Sequence, residues 1–185
     1  MMAAALRALP VLAALAGGVS GDGLASPATL IRATHPHWTE VKWPFPIDQW
    51  GTGRAFQCGA DTCGMTVNLY LRPKIGFCNC DSGVADDDEV DRVADLDLMS
   101  QRFAPLEAGK VVRIAEMSGR SRSYDLTMAD GAQHAAVGFA LSRRCDLLVA
   151  VAQGKADADN VQRIAADFLR SDGMAHWMTA ALNGG

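Results

Sequence analysis

Four runs with strand character follow one another in the second half of the chain: Lys110 to Met117, Arg122 to Met128, Gln133 to Leu141 and Asp146 to Gln153. Only Ser118-Gly119, Asp130-Gly131 and Ser142-Arg143-Arg144 separate them. Connections this short leave no room for a crossover helix, so neighbouring runs pair antiparallel as a meander. Such a sheet must bury an apolar face, and the chain supplies a cover directly afterwards. Asp157 or Asp159 caps a helix in which Val161, Ile164, Ala165, Phe168 and Leu169 recur at helical spacing. Gly173 is read as its stop, and Met174, Trp177, Met178, Ala181 and Leu182 repeat the spacing beyond it.

The first half adds strands and one more helix. Met65, Val67, Leu69 and Leu71 alternate with Thr66, Asn68, Tyr70 and Arg72, a period-two pattern that predicts a strand ended by Pro73. Lys74 to Cys80 reads as a second short extended piece, closed by a turn at Asp81-Ser82-Gly83. Asp86 and Glu89 form a capping-box pattern in an acidic first turn, and Val90, Val93, Ala94, Asp97 and Leu98 give one modest apolar face, so a helix is expected at about 87 to 100. Ahead of these, Ser26 to Gly53 is rich in Pro, His and Trp; its prolines forbid a helix and predict an extended arm packed down by tryptophans, with Gly51-Thr52-Gly53 as a turn.

Residues Met1 to Gly21 have the layout of a secretory signal peptide: Arg7, an apolar run from Ala8 to Ala16, then small residues. Cleavage is placed after Gly21 or Ala25; a buried N-terminal helix is the competing reading, opposed by Pro10 and Gly17-Gly18. The apolar run is too short to span a bilayer, so no transmembrane segment is expected in the mature chain. The organisation expected is a signal peptide at 1–25, an extended arm at 26–55 and a single domain at 56–185 that includes a cysteine-framed segment, 56–97. A net charge of -4 gives a nucleic-acid partner no electrostatic support.

Export bears on the cysteines, because an oxidising compartment favours disulfides. There are five, so one is left over: Cys58, Cys63, Cys78, Cys80 and Cys145. Cys58 and Cys63 enclose a small flexible loop that can bring their sulfurs together. Cys78 and Cys80, two apart on an extended piece, point to one face and would close a strained ring if paired, so each reaches elsewhere, with Cys145 a candidate for one of them. The alternative is a metal site in which Cys58, Cys63, Cys78 and Cys80 hold zinc, or copper with help from Met65 and histidines such as His35 and His37. A redox thiol is a third reading, opposed by the acidic run after Cys80, which raises thiol pKa.

The remaining chemistry-bearing residues have ordinary explanations. Asp81, Asp86, Asp87, Asp88, Glu89, Asp91, Asp95 and Asp97 are read as a capped, solvated helix face; were calcium bound, Asp81 and Asp86 to Asp88 would hold it, although no EF-hand pattern is present. Ser118, Ser121 and Ser123 are assigned to a turn without a nucleophile-elbow context. Arg120, Arg122, Arg143 and Arg144 are read as separate surface groups, or as an anion or partner patch at one end of the meander.

Together these elements describe an α+β fold: an antiparallel sheet, made of a four-strand C-terminal meander plus N-terminal strands, packed by an early acidic helix and a C-terminal amphipathic helix. From Trp43 to Leu182 the order of elements resembles the PsbP-like domains of exported bacterial and photosynthetic proteins: Phe45-Pro46-Ile47-Asp48-Gln49-Trp50 at the entry, an early helix, a strand meander and a closing helix ending near Phe168-Leu169-Arg170-Ser171. The cysteine segment is not required by that family, and the GFCNCDSGVADDDE stretch resembles a block of exported bacterial proteins to which no activity is attached. The function expected is an exported periplasmic accessory or binding protein without catalytic activity or cofactor, stabilised by disulfides, with a protein partner or small ligand. The alternative is a periplasmic copper- or zinc-binding protein using the cysteine segment.

Overall fold

The computed structural model describes residues 36–183; the expected signal peptide and His35 lie outside them. Among the described residues eight strands join one antiparallel sheet: β1 Trp38–Val41, β2 Arg54–Cys58, β3 Val67–Lys74, β4 Phe103–Pro105, β5 Lys110–Ile114, β6 Met117–Thr127, β7 Gln133–Arg143 and β8 Asp146–Gly154. Their order is β1-β2-β3-β8-β7-β6-β4, with β5 also on β6. The expected meander is therefore β5 to β8, and β8 continues into the N-terminal strands through β3. Four helices accompany it: α1 Ala60–Cys63, α2 Asp87–Val93, α3 Ala158–Leu169 and α4 Asp172–Ala181.

Several boundaries differ from those expected. The first hairpin turns at Ala115-Glu116, with Ala115 at φ 51°, and not at Ser118-Gly119. Gly119 sits inside β6, where a Cβ would strike the backbone of Ala140; it permits close strand approach and makes no turn. Pro73 does not end its strand but pairs with Leu148 inside β3. Because β2 accompanies β3 only as far as Leu71, the proline ring lies where one side of the strand has no partner and no N–H is needed. Lys74 to Cys80 is not extended, since Gly76 at φ 68° turns the chain and its N–H donates to Asp146 Oδ1 at 2.8 Å. Gly173 lies in the first turn of α4; the break comes at Ser171, whose extended backbone caps α4.

Strand alternation gives the sheet two unlike faces. One presents Val67, Leu69 and Leu71 of β3, Val137, Phe139 and Leu141 of β7, and Leu148, Ala150 and Ala152 of β8 to α3 and α4. The cover is the expected amphipathic stripe, Val161, Ile164, Ala165 and Leu169, followed by Met174, Met178 and Leu182. Trp38 stacks on Phe168 with ring centroids 4.6 Å apart, fastening the edge strand β1 to that cover.

The opposite face carries a smaller apolar core, Tyr124, Leu126, Ala136, Ala140, Leu147, Val149 and Val151, under Val90, Val93, Ala94 and Leu96. At Gly138 a Cβ would come within 2.8 Å of the Ala94 Cβ, so glycine there lets the end of α2 settle close on β7. What flanks this core is polar.

Candidate functional site

Helix α2 begins as its sequence dictates. The Asp86 side chain accepts from Glu89 N–H at 2.9 Å, and the Glu89 carboxylate reaches back to Ala85 N–H at 3.1 Å. Val90, Val93 and Ala94 turn toward the sheet. Beside them Asp87, Asp91 and Asp95, four residues apart, form a second stripe. This stripe is not the solvated face expected from composition, because each of its carboxylates meets cations or a phenol that the sheet turns toward α2.

Asp87 accepts from Arg120 Nε at 2.8 Å and from Gly109 N–H at 2.8 Å, and these bonds, the backbone one foremost, hold its carboxyl below the usual range. Asp91 accepts from Arg122 at 2.6 Å and from the Tyr124 hydroxyl at 2.6 Å. Burial and the Asp91 charge push the Tyr124 phenol far up, so it stays a donor. Arg120 and Arg122 are therefore committed to α2 and do not form the free patch considered from sequence.

Asp95 completes the stripe at the other flank of the sheet. It ends the helix early, at φ 59°, so α2 stops at Val93 and only a 3₁₀ turn, Leu96–Leu98, continues toward residue 100. Aspartate tolerates this left-handed backbone better than most residues. In that position its carboxylate accepts from Arg72 Nε at 2.8 Å and from Lys74 Nζ at 2.7 Å. The Arg72 side chain is 2% exposed and that of Lys74 6%. Asp48, from the N-terminal arm, takes the far edge of the Arg72 guanidinium in a bidentate pair at 2.7 and 2.9 Å.

With Gly51 O at 3.3 Å, every N–H of Arg72 has an acceptor. Burial alone would lower the Arg72 pKa; the hydrogen bonds and charges of Asp95 and Asp48 outweigh it and raise it. The Arg72 bonds in turn hold the Asp48 carboxyl below its ordinary value. Removing one partner from such a cluster strands a buried charge, and that loss costs about 3–5 kcal/mol in comparable buried pairs.

The clasp forms the floor of a cleft of about 420 Å³ lined by Asp48, Gln49, Trp50, Phe77, Arg92 and Asp97. Trp50 and Phe77 meet edge to face, 4.8 Å between centroids, and Lys74 Nζ lies 5.8 Å from each ring. Arg92 stands over Phe77 at 5.4 Å; its side chain is 59% exposed and, among the described residues, its one salt bridge is a 3.6 Å contact to Glu89. Trp43 and Phe45 of the arm pack edge-on to Tyr70 of β3 and close the neighbouring surface. The Trp43 indole N–H is buried and has no acceptor among the described residues. The site can thus seat a planar or apolar group against the joined Trp50–Phe77 wall, with exposed charges of both signs at its mouth. Arg72, the clasp's central cation, has no N–H left for a ligand.

All five cysteines fall among the described residues. Cys58 is bonded to Cys63 across α1, and Cys80 to Cys145 at the β7–β8 turn; Cys78 is free. Both pairings lie within what the sequence left open, and Cys145 proves to be the partner of Cys80. Three of the four sulfurs of the metal alternative, those of Cys58, Cys63 and Cys80, are thereby in disulfides, so the four are not assembled as one thiolate set. Among the described residues no three His, Cys, Asp or Glu side chains are grouped to hold a metal ion. Asp81 is exposed in a loop while Asp86 caps α2 and Asp87 binds Arg120, so the calcium candidates are not brought together either. His37 is exposed.

Ser118, Ser121 and Ser123 lie along β6 and not in a turn, and Ser121 accepts from Gln162 of α3 at 3.3 Å. Arg143 is paired with Asn183 and Glu116, and Arg144 occupies the β7–β8 turn at φ 58°. Asp48, Arg72, Lys74 and Trp50 were not singled out from sequence. The signal that could have found the first three is a lysine and an arginine on the alternate positions of an otherwise apolar strand, where a buried acid is required to match them.

No family model matches the chain, and no curated protein matches it. A crystal structure of a Pseudomonas aeruginosa protein of unknown function is similar over 74% of this chain and 81% of that one, with 12% identity and a TM-score of 0.39. At that level the likeness carries no argument about fold or activity. Among the described residues no helix is long and apolar enough to cross a membrane.

Proposed function

We infer that the protein is an exported, non-catalytic binding protein, held together by its disulfides, whose ligand or partner group seats in the cleft between the N-terminal arm and α2. The cleft itself carries this reading: an aromatic wall, Trp50 on Phe77, over a floor whose buried charges are already neutralised by one another. Catalysis by general acid–base or nucleophilic chemistry needs a group with a free lone pair or proton aimed at substrate. Arg72 instead spends all its N–H groups on Asp48, Asp95 and the Gly51 carbonyl, and Lys74 gives two of its three hydrogens to Asp95 and the Val93 carbonyl. Two disulfides fit an oxidising compartment, which supports the export reading of the N-terminal segment.

Native mass spectrometry of the full chain expressed with its own N-terminus and recovered from the periplasm tests this. The wild-type protein is expected to carry a bound small molecule, or a stoichiometric partner, that Trp50→Ala reduces at least tenfold while the circular dichroism spectrum is unchanged. Equal retention by Trp50→Ala, or recovery of the protein only from the cytoplasm, overturns it.

A further inference from the structure

Cys78 is placed for chemistry that the two disulfides alone do not account for. Its backbone N–H donates to Cys145 O at 3.2 Å. Its thiol contacts the carbonyls on both sides of Cys145: Arg144 O at 3.4 Å and Asp146 O at 3.5 Å. One backbone hydrogen bond and two sulfur–carbonyl contacts thus set the Cys78 thiol beside the backbone of Cys145. Cys145 is already bonded to Cys80, two residues along. The rival bridge would close a loop only two residues longer, so chain entropy does not favour either. Exposure does differ, since Cys80 is on the surface and Cys78 is half-buried.

We propose that Cys78, Cys80 and Cys145 form a thiol–disulfide exchange site that passes a free thiol from the half-buried position 78 to the exposed position 80, where it takes a small disulfide as substrate. In the first step Cys78 loses its proton to solvent and the thiolate sulfur bonds to Cys145 Sγ. The Cys80–Cys145 bond breaks, and Cys80 leaves as a thiolate; nothing is oxidised or reduced overall. In the second step the Cys80 thiolate attacks one sulfur of the small disulfide, forms a mixed disulfide and releases the other half as a thiolate. Burial, then the charges of Glu89 and Asp146, push the Cys78 thiol up, so the first step quickens as pH rises and is slow in acid.

Two measurements on the full chain decide it. Cys80→Ser, mapped by non-reducing mass spectrometry after alkylation, is expected to contain a Cys78–Cys145 bridge and no alkylated cysteine. Two alkylated thiols, at 78 and 145, in a variant with wild-type circular dichroism overturn the proposal. The second measurement uses the wild-type protein and so does not depend on that variant folding. With oxidised glutathione at pH 9, the mixed disulfide is expected mainly on Cys80, at least fivefold above the level at pH 6 and absent in Cys78→Ser. Glutathione found only on Cys78 at both pH values overturns it.

Discussion

The two faces of the sheet are built on opposite principles. Under α3 and α4 the contact is apolar except for the hydrogen bond from Gln162 to Ser121, with Phe139, Leu69 and Leu169 fully buried, and the hydrophobic effect is the main force that seals it. Under α2 a smaller apolar strip is flanked by ionic fasteners, Arg120 and Arg122 of β6 on one side and Arg72 and Lys74 of β3 on the other, with the three aspartates between them. The difference teaches where a fold can carry a cleft. A dry apolar seam fills every gap, whereas a layer held by directional bonds at a few points leaves room between them.

Substitutions graded by size can break or sharpen this contrast. Phe139→Ala on the apolar face is expected to cost about 3–5 kcal/mol, read from urea unfolding. Asp95→Asn keeps the left-handed backbone but withdraws the charge shared by Arg72 and Lys74, and should cost about 2–3 kcal/mol. Were that loss below about 0.5 kcal/mol, the clasp would be ornamental and the α2 face held by its apolar strip alone.

Asp87→Asn should cost about 1 kcal/mol at neutral pH, since its partners are partly exposed. Its folded pKa is lowered, so its contribution is present above the ordinary carboxylate pKa near 4 and is lost as pH falls through the lowered value. The gap in melting temperature between wild type and Asp87→Asn should accordingly hold from pH 6 to about pH 4 and narrow as the pH falls further; a gap that stays constant in acid would contradict the pairing. The smallest effect expected is that of Asp86→Ala, about 0.5–1 kcal/mol from loss of the helix cap, measured in the same way.

The same contrast explains what could be read from the chain. The α3 stripe, the period-two pattern of β3 and the short connections of the meander are local signals, and each element formed, although β3 and the first hairpin turn are shifted by two or three residues. Boundaries failed where a distant partner overrode the local rule. Asp95 cut α2 short because Arg72 and Lys74, more than twenty residues earlier, need its carboxylate at that point. Pro73 was absorbed into β3 because β2 had already ended. The acidic stripe was visible only as composition: its spacing of four was legible, but the arginines and tyrosine that answer it lie on β6, and no local pattern joins them. Cys145 was legible as a partner for one of Cys78 and Cys80, and no local pattern told which of the two it holds.

The most direct test of the account is the intact and peptide mass of the protein recovered from the periplasm, alkylated without reductant. The account predicts an N-terminus just after Gly21 or Ala25, two disulfides and a single alkylated cysteine. A chain beginning at Met1 or Met2 with all five cysteines alkylated would contradict it.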